Sequence, residues 1–192
     1  RGPGREIVVA DGGSGDGTVE LAECGGAQTV TAPRGRGAQM AAGATAATGD
    51  WLLFLHADTR LGTGWDRAVT DFMADPAHGK RAAAFRLRFD ADGRGARRVA
   101  RLANWRARAF GLPYGDQGLL ISRRFYDSLG GFRSIPLMED VDMARRIGRR
   151  HFRILEADAI TSATRYRAGG WVLRPARNLC CLVLYFMGIP PR

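Results

Sequence analysis

Short apolar runs alternate along this chain with longer segments in which apolar residues recur at helical spacing. Residues 6–10, 29–32, 51–55, 82–89, 119–122 and 152–155 have the length and composition of buried strands. Residues 18–24, 37–48, 65–73, 94–110, 123–129, 139–149 and 171–186 read as helices, the first with Thr18 as its N-cap. The segment 139–149 opens with acidic residues and closes with basic ones, the order that the helix dipole favours. Strands and helices in this alternation predict an α/β fold with a Rossmann-like, mostly parallel sheet and helices on both faces. No internal repeat and no long linker interrupts it.

One strand ends in an unusual way. In "WLLFLHADTRLGTGW", residues 51–65, a continuous apolar run stops at His56, Ala57 and Asp58 and turns polar. Residues two apart on a strand share a face and lie about 6.6 Å apart. His56 and Asp58 are therefore expected to point the same way at the carboxyl end of a buried strand, where α/β sheets place their ligands.

Composition narrows the classes. The 192 residues suit one domain with a sizeable core, and 45% hydrophobic with 25% charged residues is ordinary for a globular protein. A net charge of +10, from 29 basic and 19 acidic residues, predicts an anionic partner: nucleic acid, a membrane surface or a phosphorylated substrate. Cys24, Cys180 and Cys181 lack zinc spacing, and free thiols imply a reducing compartment and a cytoplasmic protein. The opening RGPGR has no signal-peptide pattern. The apolar run 179–189 is about half the length that a spanning helix needs.

Several chemistries fall away on inspection. "GGSGDG" (12–17) and "RGRGAQM" (34–40) suggest a dinucleotide fingerprint, but the first has the wrong spacing and the second carries Met40 where the third glycine belongs. A phosphatase strand ending in Asp-x-Asp-x-Thr would need its nucleophile where His56 stands. The basic runs at 94–98 and 145–150 lack the interleaved aromatics of a nucleic-acid surface, so no nucleic-acid partner is expected.

Three segments remain: "IVVADGGSGDGT" (7–18), "LLFLHADT" (52–59) and "PLMEDVDMARR" (136–146). In type and order they resemble the family 2 glycosyltransferases of the GT-A fold, which show a strand followed by Asp-[Asp/Gly]-Gly-Ser-x-Asp-Gly-Thr, then Asp-x-Asp, then Glu-Asp. "GLLISRRFYDSLGGF" (118–132) is similar to the stretch before the Glu-Asp. The likeness covers about residues 6–150 and is strongest to a bacterial subgroup of unassigned substrate that reads "FLHADT" and "YGDQG". Two departures stand out: the family's first strand has no counterpart in these residues, and His56 replaces the first Asp of Asp-x-Asp.

The resemblance implies a GT-A domain over residues 1–160 and a helical extension over 161–192. It implies a metal-dependent inverting transfer of sugar from a nucleotide-sugar donor, UDP- or GDP-linked, to a hydroxyl acceptor. By it, Asp11, Gly12, Gly13, Arg36, His56, Ala57 and Asp58 would bind the donor, and Asp58 would ligate Mn²⁺ or Mg²⁺, because hard cations prefer oxygen. Asp140 would be the general base with Glu139 beside it, and Tyr114, Asp116 and Gln117 would meet the acceptor. A nucleotidyltransferase of similar fold would use the same metal, and a non-catalytic donor-binding protein would keep the same cleft. On the bland reading, Asp11 and Asp16 are turn residues beside glycine, Glu139 and Asp140 only favour a helix start, and Asp142 is an i,i+4 partner for Arg146. Arg165, Arg167, Arg174 and Arg177 precede the apolar stretch 179–189. That pattern suits a helix lying on the inner face of a membrane, or one packed on the sheet or in a homodimer.

Overall fold

The structure, a computed structural model, describes residues 5–188; Ile189 of the apolar stretch and the last residues of the extension lie outside them. Strands β1 (Val8–Asp11) and β2 (Gln28–Thr31) are joined by α1 (Thr18–Cys24), and α2 (Arg36–Ala46) leads to β3 (Trp51–Phe54). Then come β4 (Thr59–Leu61), α3 (Trp65–Ala74), β5 (Ala82–Phe89), α4 (Arg94–Phe110) and β6 (Leu119–Ser122). The chain continues through α5 (Arg123–Ser128), α6 (Glu139–Ile147), β7 (Phe152–Thr161), α7 (Thr164–Gly169) and α8 (Leu173–Phe186).

The strands form a two-stranded parallel sheet, β1–β2, and a five-stranded sheet in the order β3-β6-β5-β7-β4. The expectation of a mostly parallel sheet needs correction here. Only β5 and β7 pair parallel in the larger sheet, while β3/β6, β5/β6 and β4/β7 pair antiparallel. The antiparallel β4 was not legible because three residues, TRL, carry too little pattern, and β7 runs six residues beyond the apolar core "FRIL". The helix at Thr164–Gly169 was missed as well. Thr18 is not the N-cap of α1: Gly17 takes that place at φ 77, and the Asp16 carboxylate accepts from both the amide and the hydroxyl of Thr18.

Both faces of the larger sheet are covered, as alternation along the strands requires. In β5, Ala82 and Ala84 face a core with Ala44, Tyr126, Met143 and Phe152, whereas Ala83 and Phe85 face Val69, Phe72 and Leu155. Neighbours in β6 divide likewise, Ile121 to the first core and Leu120 to the second. Helices α2, α5 and α6 therefore cover one face and α3 the other. A third cluster seats α4 on the end of β5 through Leu87, Phe89, Val99 and Ala103.

Side chains join the two sheets. Gln39 of α2 donates to the Ala10 carbonyl of β1 at 3.1 Å, and Glu6 accepts from the amides of Thr48 and Gly49 just before β3. Arg123, at the start of α5, donates to the carbonyls of Ala44 (3.0 Å), Ala47 (2.7 Å) and Gly49 (2.9 Å). A cation at a helix carboxyl end satisfies orphan carbonyls and opposes the dipole. Arg123→Ala is expected to destabilise the protein by about 2 to 4 kcal/mol, since hydrogen bonds to charged groups contribute about 1.5–3 kcal/mol each and do not add fully. Lysine should recover little, because one ammonium cannot span the fork. Urea unfolding checks both: a loss under about 0.5 kcal/mol for alanine would refute the capping role.

Candidate active site

Two regions meet at the carboxyl ends of β1 and β3. The first is an open cleft between the loop after β1 and the start of α2, lined by Gly12, Gly13, Ser14, Gly15, Asp16, Arg34, Gly35 and Gln39. Asp11 closes β1 and is buried, and its Oδ2 accepts from the amides of Gly13 (2.7 Å) and Ser14 (2.9 Å). The Ser14 hydroxyl and these amides hold the Asp11 carboxyl below its ordinary range. Asp11 thus shapes the turn, as the bland reading has it, while its Oδ1 is outside these two bonds. Gly13 sits at φ 90, a conformation that favours glycine.

The second region is built on β3, α6 and the 3-10 turn Gly115–Gln117. His56, Ala57 and Asp58 lie in the turn between β3 and β4, which closes through the Thr59 amide on the His56 carbonyl. Ala57 and Asp58 are exposed, and His56 is half-buried. Burial holds the imidazole below its ordinary pKa and the Arg36 charge adds to this, while the Asp140 and Asp58 carboxylates push the other way. A small cavity beside it is lined by His56, Tyr114, Gly115 and Asp140 over an apolar floor that includes Phe54, Phe132 and Met143.

Asp140 and Glu139 open α6, and they differ. The Asp140 carboxylate is held at both oxygens: Oδ2 accepts from the Gly115 amide at 2.8 Å and Oδ1 from the Val141 amide at 2.7 Å. Each oxygen keeps a further lone pair for a proton. Glu139 is only 1% exposed, and burial, then the charge of Asp140, raises its carboxyl above the ordinary range. Its nearest cation is Arg36, Nη1 to Oε1 at 4.0 Å, so the first residue of α2 bridges the cleft and the base of α6. Met138, which precedes them, is the one non-glycine described residue at positive φ (66°). Its side chain packs with Val141 and with Leu182 of α8.

The residues of "YGDQG" divide in role. Tyr114 lies under the Arg106 guanidinium, 3.4 Å from ring centre to Cζ, and burial raises its phenol pKa. Burial pushes the Asp116 carboxyl up to about 6, with the Asp140 and Asp58 charges adding and Arg106 opposing. Gln117 is fully buried, with its amide donating to the Phe85 carbonyl at 3.0 Å and to Asn104 at 3.3 Å. That placement puts Gln117 out of an acceptor's reach and makes it an anchor of the turn to β5.

Among the described residues, the buried side-chain polar atoms lacking a hydrogen bond are His56 Nε2, Arg106 Nη2, Asp116 Oδ1, Gln117 Oε1 and Glu139 Oε1. All belong to this region. Native interiors seldom leave such groups unpaired, and when they do the place is commonly functional. No three His, Cys, Asp or Glu side chains among the described residues form a ready-made metal cage. Asp58 is the carboxylate open to a cation, with its side chain 35% exposed and Arg165 Nη1 at 3.8 Å from Oδ2. A single carboxylate fits Mg²⁺ or Mn²⁺ where phosphates and water complete the shell.

Sequence reasoning missed Arg106, Arg165 and the Gly115 amide. Arg165 reaches Asp58 only because β7 continues to Thr161, beside β4, and the Ser162 amide bonds the Asp58 carbonyl at 3.0 Å. The second glycine-flanked turn in "YGDQG" was the available signal for Gly115.

The profile described as glycosyl transferase family 2 matches residues 1–130. No curated protein sequence matches. Among solved structures the chain is similar to glucosyl-3-phosphoglycerate synthase from Mycobacterium tuberculosis, in complex with Mn²⁺, UDP and glucosyl-3-phosphoglycerate. The TM-score is 0.64 and the identity 22%, over 97% of this chain and 70% of that one. Mannosyl-3-phosphoglycerate synthase from Rubrobacter xylanophilus gives 0.60 and 18%, over 98% and 66%. At such identities the likeness is one of fold, and it is the GT-A fold expected from the sequence. The nucleotidyltransferase alternative gives way to the family match, and this chain belongs to glycosyl transferase family 2, as an enzyme of the glycosyltransferase class.

Proposed function

We propose that this chain moves a sugar from a UDP- or GDP-sugar to a hydroxyl acceptor with inversion, and that Asp140 is the general base. The observation that carries the reading is the Asp140 carboxylate, aimed by two backbone amides into the cavity it shares with His56 and Tyr114. A base so oriented takes the proton of the acceptor hydroxyl as its oxygen attacks the anomeric carbon from the face opposite the leaving diphosphate. The loop of Asp11, Gly12 and Gly13 lets the nucleoside approach the backbone. Arg36, His56 and Ala57 border the donor, and Tyr114 and Asp116 border the acceptor. Asp58 would hold Mn²⁺ or Mg²⁺, whose chemistry here is to neutralise charge on the departing diphosphate. The Mn²⁺ and UDP named for the mycobacterial structure support that part. The "FLHADT" and "YGDQG" motifs support placing the chain in the subgroup that shares them.

The extension 161–192 adds a location. One side of α8 packs through Leu182 on Met138 and Val141, while Leu173, Leu179, Val183 and Phe186 are exposed, and Arg167 and Arg177 are exposed nearby. No described helix is long and apolar enough to cross a membrane. Exposed apolar groups with basic residues in the same extension suit anionic lipid, and this reading puts the protein at the cytoplasmic membrane face.

Asp58→Ala is expected to abolish Mn²⁺-dependent thermal stabilisation by UDP or GDP while the unliganded protein melts as wild type; retained stabilisation would refute the ligand assignment. Asp140→Asn is expected to lower the transfer rate by about 10² to 10⁴ with diphosphate affinity within a few-fold of wild type. Asparagine keeps the residue's shape, so an undiminished rate, or a larger loss in Glu139→Gln, would show that the base is another group. Vesicles containing phosphatidylserine should carry the protein upward in a density gradient at low salt and release it at high salt. Protein that stays in the dense fractions at low salt would exclude the peripheral attachment.

A further inference from the structure

We propose that Gly115 and His56 together are the positioning residues of the base: the imidazole packs where a side chain at 115 would be, and so seats the Gly115 amide against Asp140. The proposal rests on the reading of Asp140 as base and adds how its geometry is set.

Three observations carry it. A Cβ built on Gly115 would overlap Nε2 and Cε1 of His56 and lie 3.2 Å from its Cδ2, so the ring edge fills the volume of the missing side chain. Gly115 is not at positive φ, so its backbone conformation is open to alanine, and the imidazole alone excludes it. The amide of that same residue donates to Asp140 Oδ2 at 2.8 Å. His56 Nε2 meanwhile is buried without a hydrogen-bond partner, an arrangement that costs free energy and is explained by packing on the glycine.

The rest of the turn cannot yield to relieve a clash. Gln117 is tied to the Phe85 carbonyl, and Gly118, at φ 64, is packed so closely that a Cβ built on it would lie 3.2 Å from Phe85 Cδ2 and 3.3 Å from the Phe54 carbonyl oxygen. A side chain at 115 therefore bears on the imidazole and on the Asp140 contact rather than on that end of the turn. His56 lies in the turn that follows β3, so the imidazole proposed to border the donor is also the group packed on the glycine whose amide holds the base. A residue in the first position of "HADT" with a shorter, charged side chain would leave that volume unfilled.

The test is a four-variant cycle with Asp140→Asn as control: wild type, Gly115→Ala, His56→Ala and the double variant. Turnover of UDP-glucose and GDP-mannose with Mn²⁺, UDP affinity, urea stability and hydrogen exchange of the Gly115 amide are measured on each. Gly115→Ala is expected to lower turnover at least about 10-fold, since misplacement of a reacting group by about 1 Å can cost 10²-fold, with UDP affinity within about 3-fold. In the His56→Ala background the same change should alter turnover less than about 3-fold, the signature of coupling between contacting residues. In Asp140→Ala, added for this readout alone, the Gly115 amide should exchange faster than in wild type, because its acceptor is gone. An equal loss from Gly115→Ala in both backgrounds, or an amide whose exchange ignores residue 140, overturns the proposal. If Asp140→Asn is crippled and Gly115→Ala is not, the proposal falls alone. If Asp140→Asn turns over at the wild-type rate, the base reading falls and takes the proposal with it.

Discussion

The arrangement depends on how the end of α2 is held by the Arg123 guanidinium. Its three donors meet carbonyls from the last turn of the helix, its C-cap and the residue before Asp50, so helix, connection and strand β3 are fixed to the β6–α5 junction at one point. That junction is itself bonded, Arg123 amide to Asp50 carbonyl at 2.8 Å. The opposite end of α2 bears Arg36 and Gln39, which reach Glu139 and the Ala10 carbonyl. Because no ladder joins β1 to β3 among the described residues, side-chain bonds to and from α2 and its flanks set the distance between the two sheets. The glycine-lined cleft after β1 and the Asp140 cavity keep their spacing through this one helix.

Legibility in the sequence followed from what local pattern encodes. Apolar runs located β1, β2, β3, β5 and β6 to within a residue or two, most sharply β5 and β6, whose residues are mostly buried in the sheet. The order of "DGGSGDGT", "HADT" and "MED" located the ends where polar groups gather. What the sequence left unread is set by register across distance. The end of β7 is held between two strands, Ala159 to Thr161 opposite β4 in the antiparallel register Thr59↔Thr161 and Asp158 to Thr161 beside β5, and three residues of β4 carry no signature of their own. Gln117 looks like a polar surface residue beside Asp116, yet it is the side chain that stitches the turn to β5, with Asn104 bonding both the amide and the carbonyl of Leu87.

Electrostatics divide this protein by depth. The surface carries the net charge of +10, which draws anions from a distance and weakens as salt screens it. The candidate site, by contrast, gathers Asp58, Asp116, Glu139 and Asp140 around a half-buried neutral-leaning imidazole, with burial raising two of the carboxyls. Anions are thus attracted by the whole, while the interior presents oxygens that favour a cation or a proton.

Met138 shows what this economy of space requires. A left-handed backbone is costly for a side chain larger than glycine, by about 1 kcal/mol or more. Yet a methionine holds it immediately before Glu139 and Asp140, with its thioether chain filling the space between Val141 and Leu182. Glycine would relax the backbone and leave a void under α8; a β-branched residue would suit the void and reject the backbone. Position 138 is therefore a compromise between torsion and volume, and few amino acids can satisfy both. Its tolerance to replacement should be narrow for a residue whose visible part is packing, which makes it the kind of site where inherited variation would impair the enzyme through its fold.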